Sequence, residues 1–413
     1  MSKKKIYLDY AATTPLTPEV ERAMRPYGQK VFGNPGSTHW FGQQASAAVF
    51  QARQTMAGAL DCDYKEIVFT GSATEANNLA LRGVANPGSR IIVSAIEHES
   101  VLETARDLEK QGVEVVYLPV NKEGVVDLKK LKAALDERTI LVSIQHANSE
   151  IGTIQPIKEI VSIVKGQKSN VLVHCDAVQA FQFLPCRVDE LGVDMMTLSA
   201  HKIYGPKGIG ALYIRSLNPK PYPSNITSTR PEAQNYINRS NVTGFTGGGQ
   251  EFGFRSGTEN VAAIVGFAKA TELISNGRQE NKRIAGLRNY LWREIKKIVP
   301  EAELNGPAIF QVKPGKLGKP GNRPQRLANN LNIYFPGRPA PDLALELDLW
   351  GVAVSPGTAC SARSAKASPV IEALGYEGDR PKSSLRFTLG RPTTKAEIDQ
   401  ALEIFRKRFT ITK

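Results

Sequence analysis

Lys202 stands just past the apolar run Asp194–Leu198, preceded by Ser199 and His201 and followed by Gly205, Gly208 and Gly210. A lysine that makes a Schiff base needs a partly desolvated pocket in which its amine can lose a proton. Ser199 and His201 beside it can hydrogen-bond a phosphate. Asp176 closes the preceding apolar run, Val171–Cys175. A carboxylate there can pair with a pyridinium nitrogen and keep it protonated, the property that makes pyridoxal phosphate an electron sink. Singly, Lys202 also reads as a solvated strand end and Asp176 as a helix N-cap. Ligands of open parallel sheets bind at the carboxyl ends of the strands, where the two would meet.

Other polar clusters end apolar runs in the same way. Phe69–Glu75 passes from a run through small residues, Ala73 and Thr74 among them, into a helical pattern. The free N–H groups and dipole of such a turn can cradle an anion, although a capping-rich turn has the same composition. Glu97 and His98 follow Arg90–Ala95, and His146–Gly152 follows Ile140–Gln145. A flat imidazole on that rim can stack on a planar cofactor, while Asn148 and Gln179 can hydrogen-bond its phenolic oxygen. Cys360 lies in Val354–Ser364, a stretch of small residues rich in Pro, Gly and Ser. An exposed thiolate in such a loop is a reachable nucleophile toward sulfur. Cys62, Cys175 and Cys186 read as structural.

The elements that position these residues follow from periodicity. Between Gln43 and Arg215, helical segments such as Val101–Gln111 and Leu128–Glu137 alternate with seven short apolar runs. The runs are Glu66–Thr70, Arg90–Ala95, Val113–Leu118, Ile140–Gln145, Val171–Cys175, Asp194–Leu198 and Gly210–Ile214. Alternating βα units predict a mostly parallel seven-stranded sheet with helices on both faces. The pattern breaks at Asn218–Phe245, read as an exposed excursion, and resumes as a helical region from Asn260 to Val299 interrupted near Asn276. A second loop is expected over Gly306–Arg326. Strand Asn330–Tyr334, a helix from Pro341, a loop over Ser355–Ser368, strand Ser384–Leu389 and a terminal helix from Lys395 complete a smaller C-terminal α+β part.

The 413 residues, 41% hydrophobic and 23% charged, are ordinary for a globular protein with an ample core. The start has no apolar stretch behind its lysines, and no run is long enough to span a membrane, so the expectation is a cytoplasmic protein with no membrane contact. Four scattered cysteines fit free thiols in a reducing compartment, and no metal is expected. The net charge of +13 is spread along the chain without a nucleic-acid-binding motif, so nucleic acid is not an expected partner.

In order along the chain, these motifs resemble the cysteine desulfurases of the NifS/IscS group, within the class V aminotransferase-like, fold-type I pyridoxal-phosphate enzymes. The resemblance runs from Tyr7–Pro15 to Ser384–Arg391 and is dense in Phe32–Thr38, 199–210 and Arg255–Thr258. It implies pyridoxal 5'-phosphate held on Lys202, which later acts as acid and base, with Asp176 at the pyridine nitrogen and His98 stacked on the ring. It implies Gln179 and Asn148 near the ring oxygen or substrate, and Ala73, Thr74, Ser199 and His201 around the phosphate. Thr258 would reach a neighbouring subunit's phosphate, which implies a homodimer. Arg386 would clamp the carboxylate of L-cysteine, with Asn34 a second candidate nearby. Cys360 would take the sulfur as a persulfide, release alanine and serve a sulfur-acceptor protein, such as an iron–sulfur scaffold. The expected division is a large domain over 18–275 and a small one from 1–17 and 276–413 carrying the Cys360 loop. Ser149 replaces a frequent second Asn, Gly71 and Ser72 invert a common order, and Pro356 and Thr358 replace serines.

Overall fold

The computed structural model describes residues 5–216, 246–274, 277–309, 325–357 and 367–410. The excursion expected over Asn218–Phe245, most of the loop over Gly306–Arg326, and Cys360 with its neighbours fall outside these residues.

In chain order the strands are β1 (Ile6–Tyr7), β2 (Ile67–Thr70), β3 (Arg90–Ser94), β4 (Glu114–Leu118), β5 (Thr139–Ser143), β6 (Thr153–Ile154), β7 (Leu172–Asp176), β8 (Met195–Ser199), β9 (Gly210–Ile214), β10 (Glu303–Leu304), β11 (Gln325–Arg326), β12 (Asn330–Tyr334), β13 (Val352–Ala353) and β14 (Ser384–Thr388). Each of the seven apolar runs becomes a strand of one sheet, in the order β2-β9-β8-β7-β5-β3-β4. Strand β9 is antiparallel to both of its neighbours and the remaining pairings are parallel.

Burial on both faces explains why these runs are continuously apolar rather than alternating. Successive side chains point to opposite faces, so Ile92, Val142, Val173 and Met196 join one core while Ile91, Leu141, Leu172 and Met195 join another. The first core is closed by helices Trp40–Leu60, Ile157–Gln167 and Val261–Glu272, the second by Ala73–Arg82 and Glu99–Lys110. Helix starts carry the expected caps: Ser72 Oγ accepts from Glu75 N, and Asp127 accepts from Lys129 N and Lys130 N. Leu128–Glu137 stops early as a helix, at Ala134, because Leu135 is already extended.

A third core gathers Ile6 and Leu8 with Ile284, Leu291, Leu331, Phe335, Phe387 and Phe405. It lies between the antiparallel sheet β10-β12-β14 and helices Gly277–Ile298, Ala340–Leu349 and Lys395–Thr410. One expectation needs correcting: the loop over Gly306–Arg326 does not remain a loop at its end. Gln325 and Arg326 form β11 against β6. The Arg326 guanidinium donates to the carbonyls of Pro307, Ile151 and Asn305, which fixes that end to the large sheet's own loop.

Candidate active site

Strands β2, β3, β5, β7 and β8 all finish at one rim, and antiparallel β9 begins there, since Gly210 pairs with both Thr70 and Ser199. The predicted polar clusters therefore open onto a common cavity of about 450 Å³. Its lining includes Ala73, Thr74, His98, Asp176, Gln179, Ser199, His201, Lys202 and Arg386.

Lys202 ends a single 3₁₀ turn that follows β8. Its Nζ donates to Ala11 O at 2.6 Å and Ala12 O at 2.8 Å, so the N-terminal segment forms part of the wall. Two residues later Tyr204 sits at φ 69°, a conformation that costs a tyrosine about 1–3 kcal/mol. Its N–H donates to Thr14 Oγ1, and its hydroxyl accepts from Arg391 N. The same threonine donates to His201 O, so the turn that presents Lys202 is fixed from two sides.

Asp176 Oδ1 accepts from Val178 N at 3.0 Å, and Oδ2 accepts from Asn77 Nδ2 at 2.9 Å. The same Asn77 amide donates to Ser100 Oγ, which meets His98 Nδ1 at 2.9 Å. Ser100 N also donates to His98 Nδ1, so that nitrogen is an acceptor and Nε2 carries the ring proton. Burial holds the His98 imidazole below its ordinary pKa and Lys202 adds to this, against the opposing pull of Asp176. A neutral, oriented ring results. Burial, with Lys202 and Lys207 nearby, pushes His201 down to about 4.

The anion cradle is the start of helix Ala73–Arg82, whose first N–H groups have no partner within the helix. Gly71 N donates to Glu75 Oε2, and Arg255 Nε donates to Glu75 Oε1. Gly210 has to be glycine here: a Cβ would lie 2.6 Å from Ser72 C and 2.8 Å from Ala73 N. Arg386, 1% exposed, donates from Nη2 to Asp9 Oδ1 and from Nη1 to Ser149 O. Its buried Nε has no partner among the described residues.

Two expected site residues are not brought to this cavity, and a third, Thr258, is expected at a neighbouring subunit's phosphate instead. Asn148, 1% exposed, lies behind the lining residues Ala147 and Ser149. Its Nδ2 donates to Ile96 O, and its Oδ1 accepts from Glu150 N and Ile151 N, so the amide holds its own loop. Asn34 is exposed and accepts from Gly36 N. Thr258 is exposed and outside the lining. The sequence reading also passed over Asn77, Ser100, Gln145, Thr13 and Lys207, all of which meet the cavity or its lining. An asparagine inside a helical pattern was the available signal at Asn77, but a weak one, because Asn78 beside it bonds back only to Thr74 O of its own helix.

The residues fit a pyridoxal phosphate. An amine, a carboxylate opposite it, a neutral imidazole and a helix N-terminus converge on one cavity, and two buried polar atoms, Asn77 Oδ1 and Arg386 Nε, lack partners among the described residues. Fold and site together define a fold-type I pyridoxal-phosphate enzyme. The chain belongs to the aminotransferase class-V family, whose model matches residues 6–401. It is 43% identical over 410 residues to the cysteine desulfurase IscS of Dictyoglomus turgidum, covering 98% of this chain and 94% of that protein. Among solved structures, a NifS-like protein superposes with a TM-score of 0.84 at 33% identity, over 98% of this chain and all of that one (100%). The structure titled SspA in complex with cysteine superposes with a TM-score of 0.72 at 30% identity, covering 94% and 100%.

Proposed function

We propose that the protein is an L-cysteine desulfurase that takes sulfur from L-cysteine onto Cys360 and releases L-alanine. One observation carries this reading: Lys202, Asp176, His98 and the start of helix Ala73–Arg82 line a single cavity whose side wall holds the buried Arg386. Pyridoxal 5'-phosphate, when bound there, supplies the electron sink for bond breaking next to the amino carbon.

Lys202 holds the cofactor and moves the proton at the substrate's amino carbon. Asp176 holds the pyridine nitrogen protonated, and Asn77 keeps its carboxylate aimed. His98 would stack on the ring and is neutral, so it could donate from Nε2. Ala73, Thr74, Ser199 and His201 would hold the phosphate, and Gln179, whose Nε2 donates to Ala11 O, would serve the ring oxygen or substrate. Asn148 supports that wall through its loop. Arg386 takes the substrate carboxylate through the N–H groups that Asp9 and Ser149 leave unused. At Cys360 the thiolate attacks the substrate sulfur, the carbon–sulfur bond breaks and the carbon takes a proton. One cysteine and one thiol thereby become alanine and a persulfide with no external oxidant.

The persulfide passes to an acceptor protein in iron–sulfur cluster assembly or thiolation. Thr258, exposed at the surface, serves a second copy in a homodimer. Among the described residues no helix is long and apolar enough to cross a membrane, in keeping with a cytoplasmic enzyme. The separate core around Phe387 and Phe405 supports a small domain built from 1–17 and 276–413 beside the large domain over 18–275.

The test is the absorption spectrum before and after L-cysteine, with alanine assayed. Wild type is expected to change its cofactor band and form alanine. Cys360→Ala is expected to keep the band change and lose catalytic turnover with reductant present. Turnover by that variant at the wild-type rate would remove Cys360 from the reaction.

A further inference from the structure

Glu150 follows β5 in the loop that Asn148 holds, and it is 1% exposed. Its backbone is pinned: N–H donates to Asn148 Oδ1, and its carbonyl accepts from Asn330 Nδ2 at 3.1 Å and Asn332 Nδ2 at 3.3 Å. The carboxyl group hydrogen-bonds the C-terminal flank of the Cys360 segment and lies beside the N-terminal one. On the C-terminal flank, Ser368 Oγ donates to Oε1 at 2.5 Å. On the N-terminal flank, a Cβ at Gly357 would stand 3.7 Å from the same oxygen.

Arg386 closes the circuit. Its backbone pairs with Ser355 on the N-terminal flank, N to O at 2.8 Å, with the return bond at 3.2 Å. Its Nη1 donates to Ser149 O, one residue before Glu150. Burial raises the Glu150 carboxyl above its ordinary pKa, while the Ser368 hydrogen bond and the Arg386 charge hold it down. A carboxyl taken out of water at this cost is kept only where its partners repay it.

We propose that Glu150 is a positioning residue: it ties the C-terminal flank of the Cys360 segment to the loop bonded by Arg386, the arginine that takes the substrate carboxylate and itself pairs with the N-terminal flank, so that substrate binding and thiol delivery share one frame. This rests on Cys360 being the sulfur acceptor. Glu150 itself is outside the lining of the cavity.

Holoenzyme carrying Ser368→Ala, Ser368→Thr or Glu150→Leu is mixed with L-cysteine in a single turnover. Two signals are followed, the change in cofactor absorbance and the Cys360 persulfide, by alkylation and mass spectrometry. Ser368→Ala and Glu150→Leu are expected to keep the absorbance change and its cysteine dependence within about twofold. Persulfide formation slows at least about tenfold, the size expected when a buried polar group loses its hydrogen-bond partner. Ser368→Thr keeps the hydroxyl and is expected to restore the rate.

Ser368 Oγ also caps the helix Pro369–Ala373 through Ile371 N. Glu150→Leu leaves that cap intact, so it separates the tie from the cap, and either variant suffices if the other fails to fold. Persulfide formation at the wild-type rate in both variants overturns the proposal. So does an equal loss in both signals, which would mark a merely structural role. Failure of the underlying reading looks different, since Cys360→Ala itself would then turn over normally.

Discussion

At the scale of single residues, Asn77 has a place that its type alone does not announce. It is the hydrogen-bond donor to Asp176 Oδ2 and, through Ser100, it reaches His98, so one amide aligns both the group proposed for the pyridine nitrogen and the one proposed to stack on the ring. Replacing it with alanine leaves the buried carboxylate one donor short. Losing a hydrogen bond to a charged group costs about 1.5–3 kcal/mol, so Asn77→Ala is expected to lower kcat by roughly 10- to 100-fold. Fluorescence titration should show weaker pyridoxal phosphate binding in the same variant. An unchanged kcat would mean that Val178 N alone suffices to aim Asp176.

Among the elements, the approach of β9 to the start of helix Ala73–Arg82 is the tightest packing constraint at the site. The antiparallel strand begins where its neighbours end, and that brings the Gly210 backbone against Ser72 and Ala73. A methyl group there would have to displace backbone rather than a side chain. Overpacking of this kind costs about 1–3 kcal/mol. Gly210→Ala is therefore expected to lower the melting temperature and weaken pyridoxal phosphate more than pyridoxal, because the phosphate is the part that meets the displaced helix end. Equal weakening of the two ligands would count against the cradle.

For the whole molecule, buried titrating groups set a pH dependence with two limbs. Burial pushes His146, His174 and His201 down to about 4 from an ordinary 6.5. Between those values the unfolded chain binds more protons at these sites, so they cost stability as pH falls below 6.5. Glu97 goes the other way: burial raises it to about 8 from 4.5. The folded state holds that proton while the unfolded chain has lost it, so its contribution fades as pH rises toward 8. Stability from these groups peaks near the ordinary histidine value. Urea denaturation at pH 5, 6.5 and 8 is expected to give its highest midpoint at 6.5. Glu97→Gln should flatten the alkaline limb and steepen the acidic one, because between 4.5 and 6.5 the Glu97 proton opposes the histidines.

How much of this was legible beforehand varies with how local each feature is. The seven strands and the chemistry at their ends could be read from the chain, since apolar runs of strand length and the polar residues that stop them are consecutive. Lys202, Asp176, His98 and Ser199 were found that way. Which ends share a rim depends on strand order, and that is settled by pairings between distant segments such as Thr70 with Gly210. Only the tertiary structure brings Ala11 and Ala12 to Lys202, Asp9 and Ser149 to Arg386, and Asn77 beneath Asp176. It also turns the Asn148 amide onto two N–H groups of its own loop and the Ile96 carbonyl after β3. Residue type and neighbours determine what a side chain is able to do, whereas the direction in which a buried polar group points is decided by the nearest partners that folding supplies.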